Sequence, residues 1–249
     1  MIKLGLIGFP LGHSFSKNYY LSKFENENIT DVDYDLYSLE NINQFPNLFL
    51  NDNRFKGFNV TIPYKQTVID FIDDLSVEAK QIGAVNCITI QHIGDKVLLK
   101  GYNTDAFGFE TSLVPLLTPQ HDRALVLGNG GAAKAVLYTF DKLGIPYTIV
   151  SRSKTNGNLT YEQLNRDIIS SHPIIVNCTP VGTAPNIEEA PQIPYEYITN
   201  RHLLYDLIYN PAETLFLKKG KLQSAITKNG HDMLILQAEK NWQIWKDNF

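Results

Sequence analysis

The sequence predicts an α/β fold made of two α/β domains. Short apolar runs alternate with segments whose apolar residues recur at helical spacing, the pattern of a sheet covered by helices. Of the 249 residues, 43% are hydrophobic and 19% are charged. This composition excludes a disordered chain, and the length allows one large domain or two modest ones. A second α/β unit begins near Asp105, and it contains a glycine-rich turn between an apolar run and a helical segment near residue 130.

The first half of the chain contains several elements of the first predicted domain. In order, the pattern predicts a strand at 3–8, a helix at 16–26 with Ser16 as N-cap, strands at 32–36 and 55–62, a helix at 65–75, and paired strands at 84–90 and 96–99. The strand at 55–62 is expected to end at Pro63 because proline cannot donate to a sheet.

The second half repeats the alternation. The pattern predicts a helix capped by Thr104 and Asp105 that runs to 117, a strand at 123–127, a helix at 132–143, strands at 147–150, 174–178 and 203–208, and an amphipathic helix at 233–249. No internal repeat is visible, which argues against a solenoid.

Charge and cysteine content narrow the function classes. The 22 basic and 26 acidic residues give a net charge of −4, so no basic excess favours a nucleic-acid or membrane partner. Cys87 and Cys178 lie far apart without metal-ligand spacing, which predicts buried reduced thiols and no metal site. No leader pattern and no long apolar run is present, so we expect a cytoplasmic protein.

The glycine-rich turn carries the first functional signal. Gly128-Asn129-Gly130-Gly131-Ala132-Ala133 fits G-x-G-x-x-A between a predicted strand and a predicted helix. Glycines allow the tight turn and the close approach of a pyrophosphate, and the helix N-terminus attracts the anion. The motif predicts a Rossmann-type dinucleotide-binding domain; the alternative is a tight turn that binds nothing.

The segment after the next strand indicates which dinucleotide binds. NAD-specific sites usually carry a carboxylate there, whereas this chain has Ser151-Arg152-Ser153-Lys154. A guanidinium and two hydroxyls would receive a 2′-phosphate. The sequence therefore favours NADP(H) over NAD(H), with an ordinary charged loop as the alternative.

Two polar clusters in the first half are candidates for chemistry. Residues 59–65 place Asn59, Thr61 and Lys65 at the carboxyl end of a predicted strand, and Asp105 follows a second cluster at 101–104. Each residue also has an ordinary interpretation, since Lys65 could be a solvated lysine and Asp105 only a helix cap. The residues alone suggest a site without defining its reaction.

Eight short blocks follow one another between residues 12 and 237. They read Gly12-His13-Ser14-Phe15-Ser16; Asn59-Val60-Thr61-Ile62-Pro63-Tyr64-Lys65; Gly83-Ala84-Val85-Asn86; Gly101-Tyr102-Asn103-Thr104-Asp105; the glycine loop 128–133; Asn177-Cys178-Thr179-Pro180-Val181-Gly182; Tyr205-Asp206-Leu207-Ile208-Tyr209-Asn210-Pro211; and Asn229-Gly230-His231-Asp232-Met233 with Gln237. In composition and order the series resembles the shikimate dehydrogenase family.

The resemblance implies NADPH-dependent reduction of 3-dehydroshikimate to shikimate, a step of aromatic amino-acid biosynthesis. It implies Lys65 and Asp105 as the catalytic pair. Substrate would be bound by Ser14, Ser16, Thr61, Asn86, Tyr209 and Gln237. The cofactor would be bound by Gly128, Asn129, Gly130, Gly131, Ala132, Ser151, Arg152, Ser153, Thr179, Leu207, Gly230 and Met233.

The resemblance also implies an architecture. Residues 1–105 and 230–249 would form the substrate-binding catalytic domain and residues 106–229 the NADP-binding domain, with a cleft between them. The sequence does not indicate the oligomeric state. We expect a monomer or a homodimer.

The chain departs from the family pattern at several points. Ser151 replaces an asparagine before Arg152, and Lys154 is the only other basic residue close by. His231-Asp232 interrupts a block that normally reads Gly-x-Gly-Met, and we expect the pair to be solvated surface. The alternatives for this pair are that Asp232 alters the backbone geometry or places negative charge near the nicotinamide. The alternatives are an NAD-preferring quinate/shikimate dehydrogenase and a catalytically silent ligand-binding protein on the same scaffold.

Overall fold

The computed structural model describes residues 1–12, 14–94, 96–154 and 158–249. The chain divides into two compact units. The first contains Met1–Thr104 and Gln237–Phe249, and the second contains Asp105–Leu236. His13, in the first block of the family resemblance, lies outside the described residues.

The first unit is built on a six-stranded mixed sheet. Its strands are β1 (Ile2–Gly8), β2 (Val32–Ser38), β3 (Phe55–Val60), β4 (Asp74–Leu75), β5 (Cys87–Ile93) and β6 (Lys96–Tyr102), in the order β2-β1-β3-β5-β6-β4. Strand β1 pairs in parallel with β2 and β3, whereas β5 runs antiparallel to both β3 and β6. The carboxyl ends of β1 and β3 therefore lie side by side at one edge of the sheet.

Helices α1 (Phe15–Asn26), α2 (Pro46–Phe49) and α3 (Val77–Ile82) belong to this unit, together with most of the closing helix α8 (His231–Lys246). Helix α8 is fixed to the sheet by Trp245, whose indole Nε1 donates to the Ile88 carbonyl at 2.9 Å. A Cβ at Gly57 would lie 2.2 Å from this nitrogen, so only glycine permits the contact. The Trp245 ring also packs 5.5 Å from Tyr20 of α1. This aromatic cluster joins α1 and α8 through one core.

The second unit has an entirely parallel six-stranded sheet. Its strands are β7 (Ala124–Leu127), β8 (Tyr147–Ser151), β9 (Leu159–Thr160), β10 (Ile174–Asn177), β11 (Leu203–Asp206) and β12 (Ile226–Lys228). They lie in the order β12-β11-β10-β7-β8-β9. Counted within the unit this is the doubly wound order 3-2-1-4-5-6 of Rossmann folds, whose ligands bind where the order reverses. Here that point lies between β7 and β10.

Helices α4 (Asp105–Leu113), α5 (Gly131–Leu143), α6 (Arg166–Ser170) and α7 (Leu215–Leu222) belong to the second unit, along with the first turns of α8. Strands β7, β10 and β11 are buried along their whole length because both faces of the sheet are covered. Apolar side chains of α4 and α5 pack on one face, and those of α6 and α7 pack on the other.

The structure confirms the α/β class and most of the predicted strands, and corrects several boundaries. Ser14, not Ser16, occupies the N-cap position of α1, and the strand predicted at 55–62 ends at Val60. The helix predicted at 65–75 is wrong, since only Thr67–Phe71 is helical, as a 3₁₀ turn. The chain then pairs with β6 through β4, where Asp73 N–H donates to the Leu99 carbonyl at 3.0 Å. Sheet hydrogen bonds thus replace helical ones in this segment.

The helix predicted to run to 117 is shorter, since α4 ends at Leu113 and the 3₁₀ turn Val114–Leu116 follows. Proline at position 115 removes a helical donor at this point. Among the described residues, none of the helices combines the length and apolar character needed to cross a bilayer.

Candidate active site

A buried network of polar side chains lies in the first unit. Asn86, directly before β5, donates from Nδ2 to Thr104 Oγ1 at 2.9 Å, and its Oδ1 accepts the Thr104 backbone N–H at 2.8 Å. Gln237 and Asn241, one turn apart on α8, complete the network. All four residues are buried, and uncharged amides and hydroxyls satisfy one another there without the cost of a buried charge.

Thr61 and Lys65 lie on the loop after β3. The Thr61 N–H donates to the Ile7 carbonyl at 2.9 Å, and the Lys65 carbonyl accepts from the Val85 N–H at 2.7 Å. These backbone bonds tie the loop to the end of β1 and to the segment before Asn86. The Lys65 side chain is half-buried. The loop is therefore held at both ends beside the buried network.

The start of α1 carries Ser14 and Ser16. Both are half-buried, and Ser16 is hydrogen-bonded to the hydroxyl of Tyr34. That hydroxyl donates to Asn59 Oδ1 at 2.8 Å, and Asn59 Nδ2 donates to the Asn86 carbonyl at 3.2 Å. Burial raises the pKa of Tyr34 well above its usual range, so it stays a neutral donor. Tyr34, which the sequence analysis missed, thus links Ser16 to the strand that carries Asn59.

Asp105 is the first residue of α4 and is buried. It belongs to the second unit but follows directly on Thr104 of the buried network. A carboxylate in the first turn of a helix is stabilised by the positive helix end.

The glycine loop joins β7 to α5 as the sequence predicts. Gly128 has a φ of +92°, and a Cβ there would lie 2.9 Å from Thr179 Cγ2. At Gly130 and Gly131 a Cβ would meet nothing within 4 Å, so these positions face open space. Gly130 is the N-cap of α5 and no side chain caps this helix end. An uncapped helix N-terminus beside a glycine loop is the kind of site at which proteins bind anions.

A cavity of about 1020 Å³ opens beside this loop. Seven of the predicted cofactor residues line it: Gly128, Asn129, Gly130, Ser151, Arg152, Ser153 and Thr179. Gly131, Ala132, Leu207, Gly230 and Met233 are not among its lining residues. The cavity lies at the carboxyl ends of β7, β8 and β10, where the strand order reverses.

Charged groups on the cavity wall have both signs. Arg152 is exposed and forms no ion pair with any carboxylate of the described chain. Glu162, Glu188 and Glu189 line the cavity from segments other than the end of β8, and Lys219 lines it from α7. The position that carries a carboxylate in NAD-specific sites thus carries an unpaired guanidinium.

A buried carboxylate organises the ends of β10 and β11. Asp206 is fully buried and accepts from Asn177 Nδ2 at 3.0 Å, from the Ile208 N–H at 3.0 Å and from Thr214 Oγ1 at 2.6 Å. Burial raises its pKa to about 6. Asn177 Oδ1 in turn accepts the Thr179 hydroxyl at 2.6 Å. Asp206 therefore braces the wall that carries Thr179 and the N-cap of α7.

The closing block of the sequence packs against β11. A Cβ at Gly230 would lie 2.1 Å from the Leu207 carbonyl oxygen, and Met233 is buried in the core beneath α4 and α5. His231 and Asp232 are exposed, and Asp232 pairs with Lys228. The expectation that this pair is solvated surface is confirmed. Tyr209, three residues after the end of β11, is exposed.

The sequence analysis missed Asn241 and Asp206 as structural partners of the site. Asn241 lies four residues after Gln237, so both occupy one face of α8 next to the buried Ala238 and Trp242. Two amides within an apolar helix face are the signal that could have identified it.

Residues 6–88 match a family model described as the shikimate dehydrogenase substrate binding domain. A shikimate dehydrogenase (NADP(+)) of Clostridium beijerinckii is 38% identical over 98% of this chain and 91% of its own length. The chain belongs to the shikimate dehydrogenase family.

Solved structures of this family agree with the fold. A shikimate dehydrogenase from Peptoclostridium difficile is 37% identical, with a TM-score of 0.84 over 100% of this chain and 93% of that one. A shikimate 5-dehydrogenase from Thermus thermophilus, solved with NADP(H) and shikimate, is 27% identical, with a TM-score of 0.84 over 99% of this chain and 94% of that one. The match extends over both units, so the shikimate dehydrogenase resemblance is confirmed along the whole chain.

Proposed function

We propose that this protein is a shikimate dehydrogenase that reduces 3-dehydroshikimate to shikimate with NADPH, reversibly. The observation that carries the proposal is the cavity beside the glycine loop, where an unpaired Arg152 stands in place of a carboxylate. The whole-chain identity to NADP(+)-dependent shikimate dehydrogenases supports it. In this proposal residues 1–105 with 230–249 would bind the substrate and residues 106–229 would bind the cofactor. The two compact units, 1–104 with 237–249 and 105–236, support such a division although their bounds differ.

The residues around the cavity fit an NADP cofactor. Gly130 and Gly131 leave open space at the uncapped N-terminus of α5, where backbone N–H groups would hold the pyrophosphate. Arg152, with Ser151 and Ser153, would hold the 2′-phosphate by charge-assisted hydrogen bonds. When bound, the cofactor supplies the hydride. Leu207, Gly230 and Met233 would contact the nicotinamide end of the cofactor. That end would then lie near the start of α8.

The polar groups of the first unit suit a polyhydroxylated acid. Ser14 and Ser16 would bind the substrate carboxylate, since hydroxyl groups at the start of a helix are donors to an anion. Thr61, Asn86 and Gln237, with Tyr209, would hold the ring hydroxyls. A network of uncharged donors and acceptors discriminates for hydroxyls because a substrate lacking them leaves buried partners unsatisfied.

Lys65 and Asp105 carry the proton chemistry in this proposal. Negative charge develops on the carbonyl oxygen of the substrate as the ketone is reduced, and an ammonium group stabilises it. Lysine is protonated at neutral pH and can donate a proton to that oxygen. The Asp105 carboxylate would orient the Lys65 ammonium group toward the substrate oxygen. In the reverse direction the same pair would receive the proton of the shikimate hydroxyl.

The alternatives from the sequence are less well supported. An NAD-preferring quinate/shikimate dehydrogenase does not explain Arg152 without a neighbouring carboxylate, and a silent binding protein does not explain the presence of both Lys65 and Asp105. We further propose a cytoplasmic protein acting on a small molecule, as a monomer or homodimer, without a nucleic-acid, membrane or metal partner.

The proposal is tested by mixing the protein with shikimate and NADP+ and recording the appearance of reduced cofactor. We expect turnover, with kcat/KM for NADP+ well above that for NAD+ and with shikimate preferred over quinate. A preference for NAD+ would contradict the role of Arg152. Absence of turnover at high protein concentration, with binding of shikimate retained, would favour the silent binding protein.

A further inference from the structure

The hydrogen-bond directions in the buried network of the first unit all depend on one backbone group. The Thr104 N–H can only donate, and it donates to Asn86 Oδ1 at 2.8 Å. This contact fixes which end of the Asn86 amide is oxygen. The Asn86 Nδ2 group must therefore point to the other side, where it donates to Gln237 Oε1 at 3.3 Å and to Thr104 Oγ1 at 2.9 Å.

A second chain of hydrogen bonds, through Asn241, fixes the same orientation of the Gln237 amide. Thr104 Oγ1 donates to Asn241 Oδ1 at 2.6 Å, and Asn241 Nδ2 donates to Gln237 Oε1 at 3.0 Å. Reversing the Gln237 amide would set its Nε2 against two donors, which costs the hydrogen bonds of several buried groups. Gln237 Oε1 is thus held inward by Asn86 and Asn241 together, and Nε2 is the group that Gln237 presents outside the network.

We infer that Asn241 is a positioning residue that makes Gln237 a hydrogen-bond donor toward the substrate. The inference rests on the proposed function, which places Gln237 among the substrate ligands. Asn241 is fully buried and is hydrogen-bonded to Thr104 and Tyr20 as well as to Gln237. Of these three partners, Gln237 is the one placed among the substrate ligands. The substrate oxygen that meets Gln237 then accepts a hydrogen bond, and a ring hydroxyl at this point directs its own proton to another acceptor.

Changing one atom of Asn241 tests the inference. In Asn241→Asp a carboxylate oxygen replaces Nδ2 and repels Gln237 Oε1. Gln237 is then expected to turn its Nε2 toward the carboxylate, at the expense of the longer 3.3 Å hydrogen bond from Asn86, and to present an oxygen to the substrate. We expect the KM for shikimate to rise about tenfold, the loss associated with one reversed hydrogen bond. The kcat value and the KM for NADP+ should change less than about twofold, because the reacting atoms and the cofactor cavity are untouched. The assays are run at pH 8.5 so that the new carboxyl group is ionised.

Three further variants separate polarity from packing. Gln237→Glu presents an oxygen without any rotation and should raise the KM for shikimate to the same extent as Asn241→Asp. Asn241→Leu removes one donor but leaves Asn86 holding Gln237, so its increase should be smaller. Asn248→Asp makes the same chemical change just beyond α8, where Asn248 accepts from Gln91, and should leave both KM values unchanged.

Thermal shift by shikimate without cofactor provides a readout that does not need activity. We expect the shift to be weakened in Asn241→Asp and Gln237→Glu and retained in Asn248→Asp. The inference is overturned if Asn241→Asp binds shikimate as the wild type does, if both KM values rise together, or if Asn241→Leu is as impaired as Asn241→Asp. An inactive wild type would instead contradict the proposed function.

Discussion

The buried carboxylate of Asp206 makes a specific prediction about stability and pH. Burial raises its pKa from 3.8 to about 6 although three groups donate to it, from Asn177, Ile208 and Thr214. The folded protein therefore holds a proton at pH 5 that the unfolded chain has lost. In the substitution Asp206→Asn the amide oxygen can still accept from Asn177 and Ile208, and Thr214 can rotate its hydroxyl to accept from the new amide group.

The size of the effect on stability follows from the difference between the folded and unfolded pKa values of Asp206. Ionising Asp206 in the folded state costs about 3 kcal/mol at neutral pH, because one pKa unit corresponds to about 1.4 kcal/mol. The contribution of Asp206 is most favourable below the unfolded pKa of 3.8 and is lost as the pH rises through about 6. Relative to Asp206→Asn, the wild-type free energy of unfolding should fall by about 2 kcal/mol between pH 4.5 and pH 7.

Urea denaturation of both proteins at half-unit pH intervals measures this difference. Other titrating groups contribute equally to both proteins and cancel in the difference. Within the described part of the chain, Cys178 and Tyr195 sense the charge of Asp206. Burial raises the pKa of both groups, so both stay neutral over this range. A difference that stays constant within about 0.5 kcal/mol, the error of the extrapolation, would refute a raised pKa at Asp206.

Three other substitutions test separate parts of the structure. Arg152→Ala should raise the KM for NADP+ at least tenfold, because one charge-assisted contact to the 2′-phosphate is lost, and should leave the KM for NAD+ unchanged. The control Arg201→Ala, outside the cavity, should change neither KM. Lys65→Ala should lower kcat by at least about 100-fold with a much smaller effect on the KM for shikimate, and turnover near that of the wild type would remove Lys65 from the mechanism. Gly230→Ala places a Cβ 2.1 Å from the Leu207 carbonyl oxygen and should lower the free energy of unfolding by about 1–3 kcal/mol in urea denaturation; an unchanged midpoint would mean that the backbone yields without cost.

Elements with strong local signals were predicted well. The glycine loop lies between β7 and α5 as expected, since tight turn, strand and helix are encoded in consecutive residues. The segment at 65–75 has helical spacing but forms a 3₁₀ turn and an edge strand. The edge strand β4 pairs with β6, which lies more than twenty residues later in the chain. Pairing with a distant strand cannot be read from the local sequence pattern.

The sequence by itself determined the α/β class, the glycine loop and the basic residue that follows the next strand, because each depends on neighbouring residues. Only the tertiary structure decided the polarity of Gln237, which depends on Asn86, 151 residues earlier in the chain. The raised pKa of Asp206 likewise requires burial by segments that are distant in sequence. Hydrogen-bond direction and desolvation are properties of a three-dimensional environment, and no stretch of sequence contains that environment until the chain has folded.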